Sequence, residues 1–165
     1  MKSHTAFISA GSNIGDKYLN CKKGIAALAE SGISVLMDQS RFYLTEPVDY
    51  KPQDWFINSV VKIKTVLNPF ELLNELKRIE RDAGRSYSGV RFGPRILDLD
   101  IIMYDDLIIN SSRLVIPHIR MHKRLFVLKP FCDIEPCAVH PVIKKDMEEL
   151  LKSLDDNTQR IKLYC

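Results

Sequence analysis

The chain lacks the features that mark several large protein classes. No run of about 18 consecutive apolar residues occurs in its 165 residues, so nothing in it reads as a membrane-spanning helix. The N-terminal MKSHTAFISAG has too short an apolar run for a secretory signal. Cysteine is scarce: Cys21, Cys132, Cys137 and Cys165 form no C-x-x-C pair and have no histidine at zinc-finger spacing, so they read as reduced thiols. A chain of this length buries roughly two-thirds of its unfolded surface and needs neither disulfide nor structural zinc. An excess of one charge is missing too. The formal net charge is +3, too small to make nucleic acid the main partner. There is no G-x-x-x-x-G-K-[ST] phosphate loop, no protein-kinase signature set, and no Ser-His-Asp or reactive-cysteine arrangement that can be read off. What remains is one domain over 1–165 of ordinary globular composition, expected in the cytoplasm with no membrane or nucleic-acid partner.

Periodicity supplies the elements. Residues 5–10 are a short apolar run closed by Gly11 and read as a buried strand. Asp16 caps a helix to about Glu30, with Leu19, Ile25, Ala26, Leu28 and Ala29 as its apolar stripe and Gly32 at its end. Ile33, Val35, Met37, Phe42 and Leu44 alternate as one long, bent strand. Two prolines make 46–54 an irregular loop, and 56–63 alternates as a strand again. Asn68, Pro69 and Glu71 form a helix start, with Leu72, Leu73, Leu76, Ile79 and Ala83 at helical spacing as far as Gly84. A mobile loop is expected at 85–95 and the strongest strand at 96–104. Beyond it come a short strand near 107–109, a turn at Pro117, helices near 120–128 and 144–154, and a last strand at 160–164. The β-α-β-β-α-β order of the first hundred residues predicts an α+β, ferredoxin-like sandwich with a mainly antiparallel sheet, extended by C-terminal helices and edge strands.

Chemistry concentrates in Asp98-Leu99-Asp100. On a strand the two acids share a face, about 6.6 Å apart. Leu97, Leu99, Ile101 and Met103 take the opposite, core face. The acids repel by roughly 2.5 kcal/mol at an effective dielectric of about 20. A solvated strand face is the plain alternative, but acids are depleted in strands, and hard Mg²⁺ ions with phosphate oxygens would resolve the repulsion. Arg85, Arg91 and Arg95 lead directly into the pair and suit phosphate oxygens. His118 and His122 form H-x-x-x-H without a convincing third zinc ligand, so phosphate contact by His118 and Arg124 is the better reading. Trp55 and Phe92 could sandwich a flat heterocycle whose edge Asn58 would read; Phe42, Tyr43, Phe56 and Phe126 are core candidates by default. A two-metal nucleotidyl cyclase or polymerase-palm-like enzyme is a rival reading. An RNA-binding module is another, but K/R-G-F/Y-G/A-F-V-x-F/Y is missing.

Taken in order, GSNIGD, FYLTEPV, WFINSVV, P-x-x-LL-x-x-L-x-x-IE-x-x-x-GR, RFGPRILDLDII, L-x-IPH and R-x-FVLKPF resemble the 6-hydroxymethyl-7,8-dihydropterin pyrophosphokinases of folate biosynthesis, from about residue 5 to residue 141. The resemblance implies transfer of the β,γ-diphosphate of ATP to the pterin hydroxymethyl oxygen, by in-line attack on the β-phosphorus, with release of AMP. It implies two Mg²⁺ ions on Asp98 and Asp100, phosphate contacts from Arg85 and Arg95, and further ATP contacts from Arg113, His118 and Arg124. It places the pterin against Gly11, Thr45, Pro47, Val48 and Asn58, between Phe56 and Phe126, with Phe92 on a moving catalytic loop. The implied partners are ATP and the pterin, acting on a monomer. Tyr87 and Ile119 depart from the family pattern, where a basic residue and a Tyr are common. No general base stands out beyond Asp98 or Asp100 themselves.

Overall fold

The computed structural model describes residues 1–84, 91–155 and 159–165. Strand β1, His4–Ser12, is buried along most of its length, as its apolar run requires, because it is paired on both sides. Helix α1, Lys17–Glu30, starts at Asp16, whose carboxylate accepts from the Leu19 N–H. It buries Cys21, Gly24, Ile25 and Leu28, whereas Leu19 and Ala26 of the expected stripe face solvent. Gly24 packs directly against Leu97, just before the strand that starts at Asp98: a Cβ there would lie 2.7 Å from Leu97 Cδ2.

The long strand expected over 33–44 is broken into β2, Ser34–Gln39, and β3, Tyr43–Thr45, which lie end to end along β4, Phe56–Thr65. Ser40 explains the break. Its hydroxyl takes the Val60 N–H at 2.9 Å and bonds the Ser59 hydroxyl at 3.0 Å, so a side chain substitutes for a missing rung. Helix α2, Pro69–Asp82, opens with the expected capping box, Asn68 accepting from Phe70 and Glu71 N–H and Glu71 accepting from Asn68 N–H. It buries Leu72, Leu76 and Ile79, and also Glu80.

Strand β5, Asp98–Tyr104, completes the main sheet on the other side of β1. The order is β5-β1-β4, with β2 and β3 both on β4, and every pairing is antiparallel. With its two helices this is the ferredoxin-like α+β fold. A short hairpin follows, β6, Ile109–Asn110, with β7, Val115–Ile116. The helix expected near 120–128 is a 3₁₀ turn, Met121–Lys123, and then α3, Leu125–Ile134. Helix α4 is Met147–Lys152, and β8, Ile161–Leu163, joins β3 at the sheet edge. Among the described residues no helix is long and apolar enough to cross a membrane.

Two cores result. Helices α1 and α2 cover one face over Ala6, Ile8, Val61 and Leu99. Helices α3 and α4 cover part of the other over Phe7, Val60 and Ile102. Strict alternation would put Met103 with Leu99, but it packs in the second core. Ile101 pairs with Ile8 and Met103 with Phe7, so Ile102 is the extra residue of a β-bulge that reverses the faces beyond it.

Candidate active site

A cleft of about 550 Å³ opens on the α3 side of the sheet. Strand register builds its floor. Asp98 lies opposite Gly11, Gly11 opposite Asn58, and Asn58 opposite Tyr43, so one row crosses β5, β1, β4 and β3. Asp100 lies opposite Ser9 in the next row. Alternation sends Asp98, Asp100, Ser9, Gly11 and Asn58 to the cleft and Ile8, Ala10 and Leu99 to the α1–α2 core. Gly11 is the gap in the row: a Cβ would stand 2.6 Å from Asn58 Oδ1. Asn58 is held by donating from Nδ2 to Thr45 Oγ1 at 2.6 Å.

One end of the cleft is ionic. Asp98 Oδ2 receives Arg95 Nη1 at 2.6 Å, both side chains about four-fifths covered. Enclosure, and then the charge of Asp98, pushes the Asp100 carboxyl well above the usual carboxylate range; Lys77 and Arg124 pull it back, and Glu80 opposes them. Glu80 accepts the Leu99 N–H at 2.8 Å, so α2 grips the strand between the two acids. The β5 bulge positions His118, whose N–H donates to the Ile102 carbonyl at 2.9 Å. The His118 ring is pushed down to about 4, by burial first and then by Arg124, and is neutral at pH 7. Its Nδ1 accepts from the Arg120 N–H at 3.2 Å, which leaves the proton on Nε2. Burial lowers the Arg124 guanidinium, while Asp100, Asp49 and Asp98 favour its charge. It sits 5.3 Å from the Phe126 ring centre.

The other end is apolar and aromatic, lined by Pro47, Val48, Phe56 and Phe126 with Thr45 and Asn58 as polar points. Two irregular loops wall the cleft, and Asn13 ties them. Its Oδ1 accepts the Arg95 N–H at 2.8 Å, and its Nδ2 donates to Gln53 Oε1 at 2.9 Å and to the Asp54 carbonyl at 3.1 Å. Gln53 in turn donates to the Phe92 carbonyl at 2.8 Å. Phe92 has φ 59, and its ring lies 5.0 Å from both the Arg91 and Arg120 guanidiniums.

The cleft thus gathers Gly11, Thr45, Pro47, Val48, Phe56, Asn58, Phe92, Arg95, Asp98, Asp100, His118, Arg124 and Phe126, all singled out from sequence. Arg113 does not line it; its guanidinium donates to Asn74 and lies over Phe70. Trp55 does not line it either, and stacks beneath Arg160 and Lys162 outside. Ile119 is exposed, and Arg85 and Tyr87 lie outside the described residues. Asn13, Gln53, Lys77 and Gln159 were not foreseen. Of these, only Asn13 carried a signal, its place in the GSNIGD segment that follows the mainly apolar run at 5–10.

No cluster of three or more metal-binding side chains occurs among the described residues. Two carboxylates alone fit a hard ion that takes the rest of its shell from ligand oxygens or water, as Mg²⁺ does. The arrangement can hold a polyanion at one end and a flat ring at the other.

Comparison with known proteins bears on the same residues. A family model described as 7,8-dihydro-6-hydroxymethylpterin-pyrophosphokinase (HPPK) matches residues 7–136. The 2-amino-4-hydroxy-6-hydroxymethyldihydropteridine pyrophosphokinase of Bacillus subtilis is 42% identical over 132 residues, covering 80% of this chain and 78% of that protein. The folic acid synthesis protein fol1 of Schizosaccharomyces pombe is 41% identical over 164 residues; the match covers 99% of this chain but only 22% of that protein. The wild-type Plasmodium falciparum HPPK-DHPS solved with pteroate superposes with a TM-score of 0.73 at 16% identity, over 92% of this chain and 42% of that one, a likeness of fold.

Proposed function

The chain belongs to the 7,8-dihydro-6-hydroxymethylpterin-pyrophosphokinase family, and from that premise we propose that it moves the β,γ-diphosphate of ATP onto the hydroxymethyl oxygen of 6-hydroxymethyl-7,8-dihydropterin, releasing AMP, as a step of folate synthesis. The observation that carries the reading is the row Asp98–Gly11–Asn58: acids at one end, a hydrogen-bonding slot at the other, and no side chain between them. The acceptor alcohol and the β-phosphorus meet over Gly11. The pterin lies between Phe56 and Phe126, with Asn58 on its polar edge and Thr45, Pro47 and Val48 closing the slot. The triphosphate runs along Arg95, His118 and Arg124, with Arg85 as a further phosphate contact; Arg113 donates to Asn74 and does not line the cleft.

Two Mg²⁺ ions held by Asp98 and Asp100 would neutralise triphosphate oxygens. The alcohol oxygen attacks the β-phosphorus in line and loses its proton, which ends in solvent; the bond from that phosphorus to the α-phosphate oxygen breaks, and AMP leaves. Neutral His118 offers its Nε2–H to a phosphate oxygen, and Arg95 and Arg124 supply fixed positive charge. Catalysis comes from positioning and charge neutralisation, with the loop at 46–54 and the segment 91–95 closing to exclude water. The same proposal has this domain acting in the cytoplasm as a monomer.

One assay tests this. ATP, Mg²⁺ and the reduced hydroxymethylpterin are incubated with the protein, and nucleotides are resolved by chromatography. AMP formed one-for-one with pyrophosphorylated pterin supports the proposal. ADP, a cyclic nucleotide, or no pterin-dependent turnover overturns it.

A further inference from the structure

Gln159 is only 5% exposed, yet its Oε1 has no hydrogen-bond partner among the described residues. Buried carbonyl oxygens without a donor are rare in native folds and point to a ligand or an ordered water. The direction of this carboxamide is fixed by chemistry. Its other end lies 2.5 Å from the Glu46 carbonyl oxygen, which accepts only from an N–H, so Nε2 is there and Oε1 points away. Gln159 lines the cleft together with Thr45, Phe56 and Asn58.

The backbone that carries it is pinned. The Glu46 N–H donates to the Arg160 carbonyl at 2.9 Å, the Arg160 N–H donates to Glu46 Oε2 at 3.1 Å, and the next residues enter β8 against β3. Gln159 therefore sits at the β3–β8 edge of the sheet, across β1 and β4 from the acids on β5. It lies beyond residue 136, where the family match ends.

We propose that Gln159 is a specificity-determining residue for the heterocycle, its Oε1 accepting a hydrogen bond from the aminopyrimidinone edge, the N3–H and 2-amino donors. The inference rests on the pterin reading of the cleft. The ring's own shape supports it: the hydroxymethyl carbon must face the phosphates near Asp98, and the 2-amino group is at the opposite end of the bicycle. The donor-rich end of the ring is thereby directed toward β3 and β8, where an acceptor stands without a donor.

The test is a cycle of two deletions read by calorimetric titration in the presence of an ATP analogue and Mg²⁺. One deletion is Gln159→Met; the other is a ligand lacking the 2-amino group. For the wild-type protein the ligand deletion should raise the Kd. Gln159→Met should raise the Kd of the intact pterin by about three- to tenfold, the range for one net hydrogen bond. It should change the Kd of the deaminated ligand much less, and that of the ATP analogue not at all. Equal weakening for both ligands would mean that Gln159 only braces the Glu46 loop, and would overturn the assignment. So would an unchanged Kd for the intact pterin, or a wild-type protein indifferent to the 2-amino group. A wild-type protein that binds no hydroxymethylpterin would overturn the function proposed above as well, which separates the two failures.

Discussion

Gly11 shows what a single missing side chain does in the row that floors the cleft. Any Cβ there would come within 2.6 Å of Asn58 Oδ1, while Asn58 Nδ2 is already committed to Thr45. Both contacts cannot persist in Gly11→Ala, so Asn58 must swing. The expected result is a pterin Kd raised about tenfold or more, with overpacking costing ~1–3 kcal/mol of stability and nucleotide affinity near wild type. Titration with each substrate and urea unfolding measure these effects separately. Asp100 poses the opposite case. Its carboxyl is raised by enclosure and by Asp98, so its charge is a burden on the native state at neutral pH. Asp100→Ala should therefore keep the melting temperature, measured without Mg²⁺, at or above that of wild type. Turnover should fall by ~10³-fold or more, the several kcal/mol that a bound metal ion contributes. Full activity in Asp100→Ala at ordinary Mg²⁺ would remove the metal assignment.

Among the elements, the two irregular loops are tied to each other through one buried side chain. Asn13, 3% exposed, bonds the backbone at Arg95 and Asp54 and the side chain of Gln53, which reaches Phe92. Asn13→Ala should leave β1 intact but release both loops. Hydrogen exchange at 46–54 and 91–95 should speed up by about tenfold, the effect of losing ~1.4 kcal/mol of local hydrogen bonding. The apparent turnover should fall with it, while exchange in α1 and α2 stays unchanged. Local signals in the sequence made α1, α2, β1, β4 and β5 legible, because each has its own apolar period or cap. The acid pair was legible for the same reason, since alternation alone puts Asp98 and Asp100 on one face. The break at Ser40 and the bulge at Ile102 were not, because each depends on a partner strand: Ser40 on Val60 and Ser59, Ile102 on the Phe7–Ile8 step. Asn13, Lys77 and Gln159 were missed because their importance comes from what folding brings beside them. Gln159 meets Glu46 across more than a hundred residues, and no local pattern encodes that.

At the scale of the molecule, the cleft exists because the second face of the sheet is covered only in part, so the seating of α3 sets its boundary. One cluster fastens that helix to the sheet. Asp133 on α3 receives Arg41 Nη2 at 2.8 Å and the Tyr43 hydroxyl at 2.9 Å, both from the β2–β3 side. Burial alone would raise the Asp133 carboxyl, but the bonds from Arg41 and Tyr43 and the charge of Arg41 outweigh it and hold it below its ordinary value. Burial, with the Asp133 bond second, pushes the Tyr43 hydroxyl up to about 12, so it remains a donor at neutral pH. A carboxyl lowered by folding stabilises the native state only when ionised. Its contribution should be complete above the ordinary value of 3.8 and decline as the pH falls through the lower native one. Asp133→Asn should therefore cost ~1–3 kcal/mol at pH 7, the range for hydrogen bonds to a charged group, and less at an acid pH below 3.8. Urea unfolding of both proteins at the two pH values measures the difference. A penalty that stays constant with pH would mean that Asp133 holds α3 by shape and neutral hydrogen bonding, and that the charge of its carboxylate does not seat this helix.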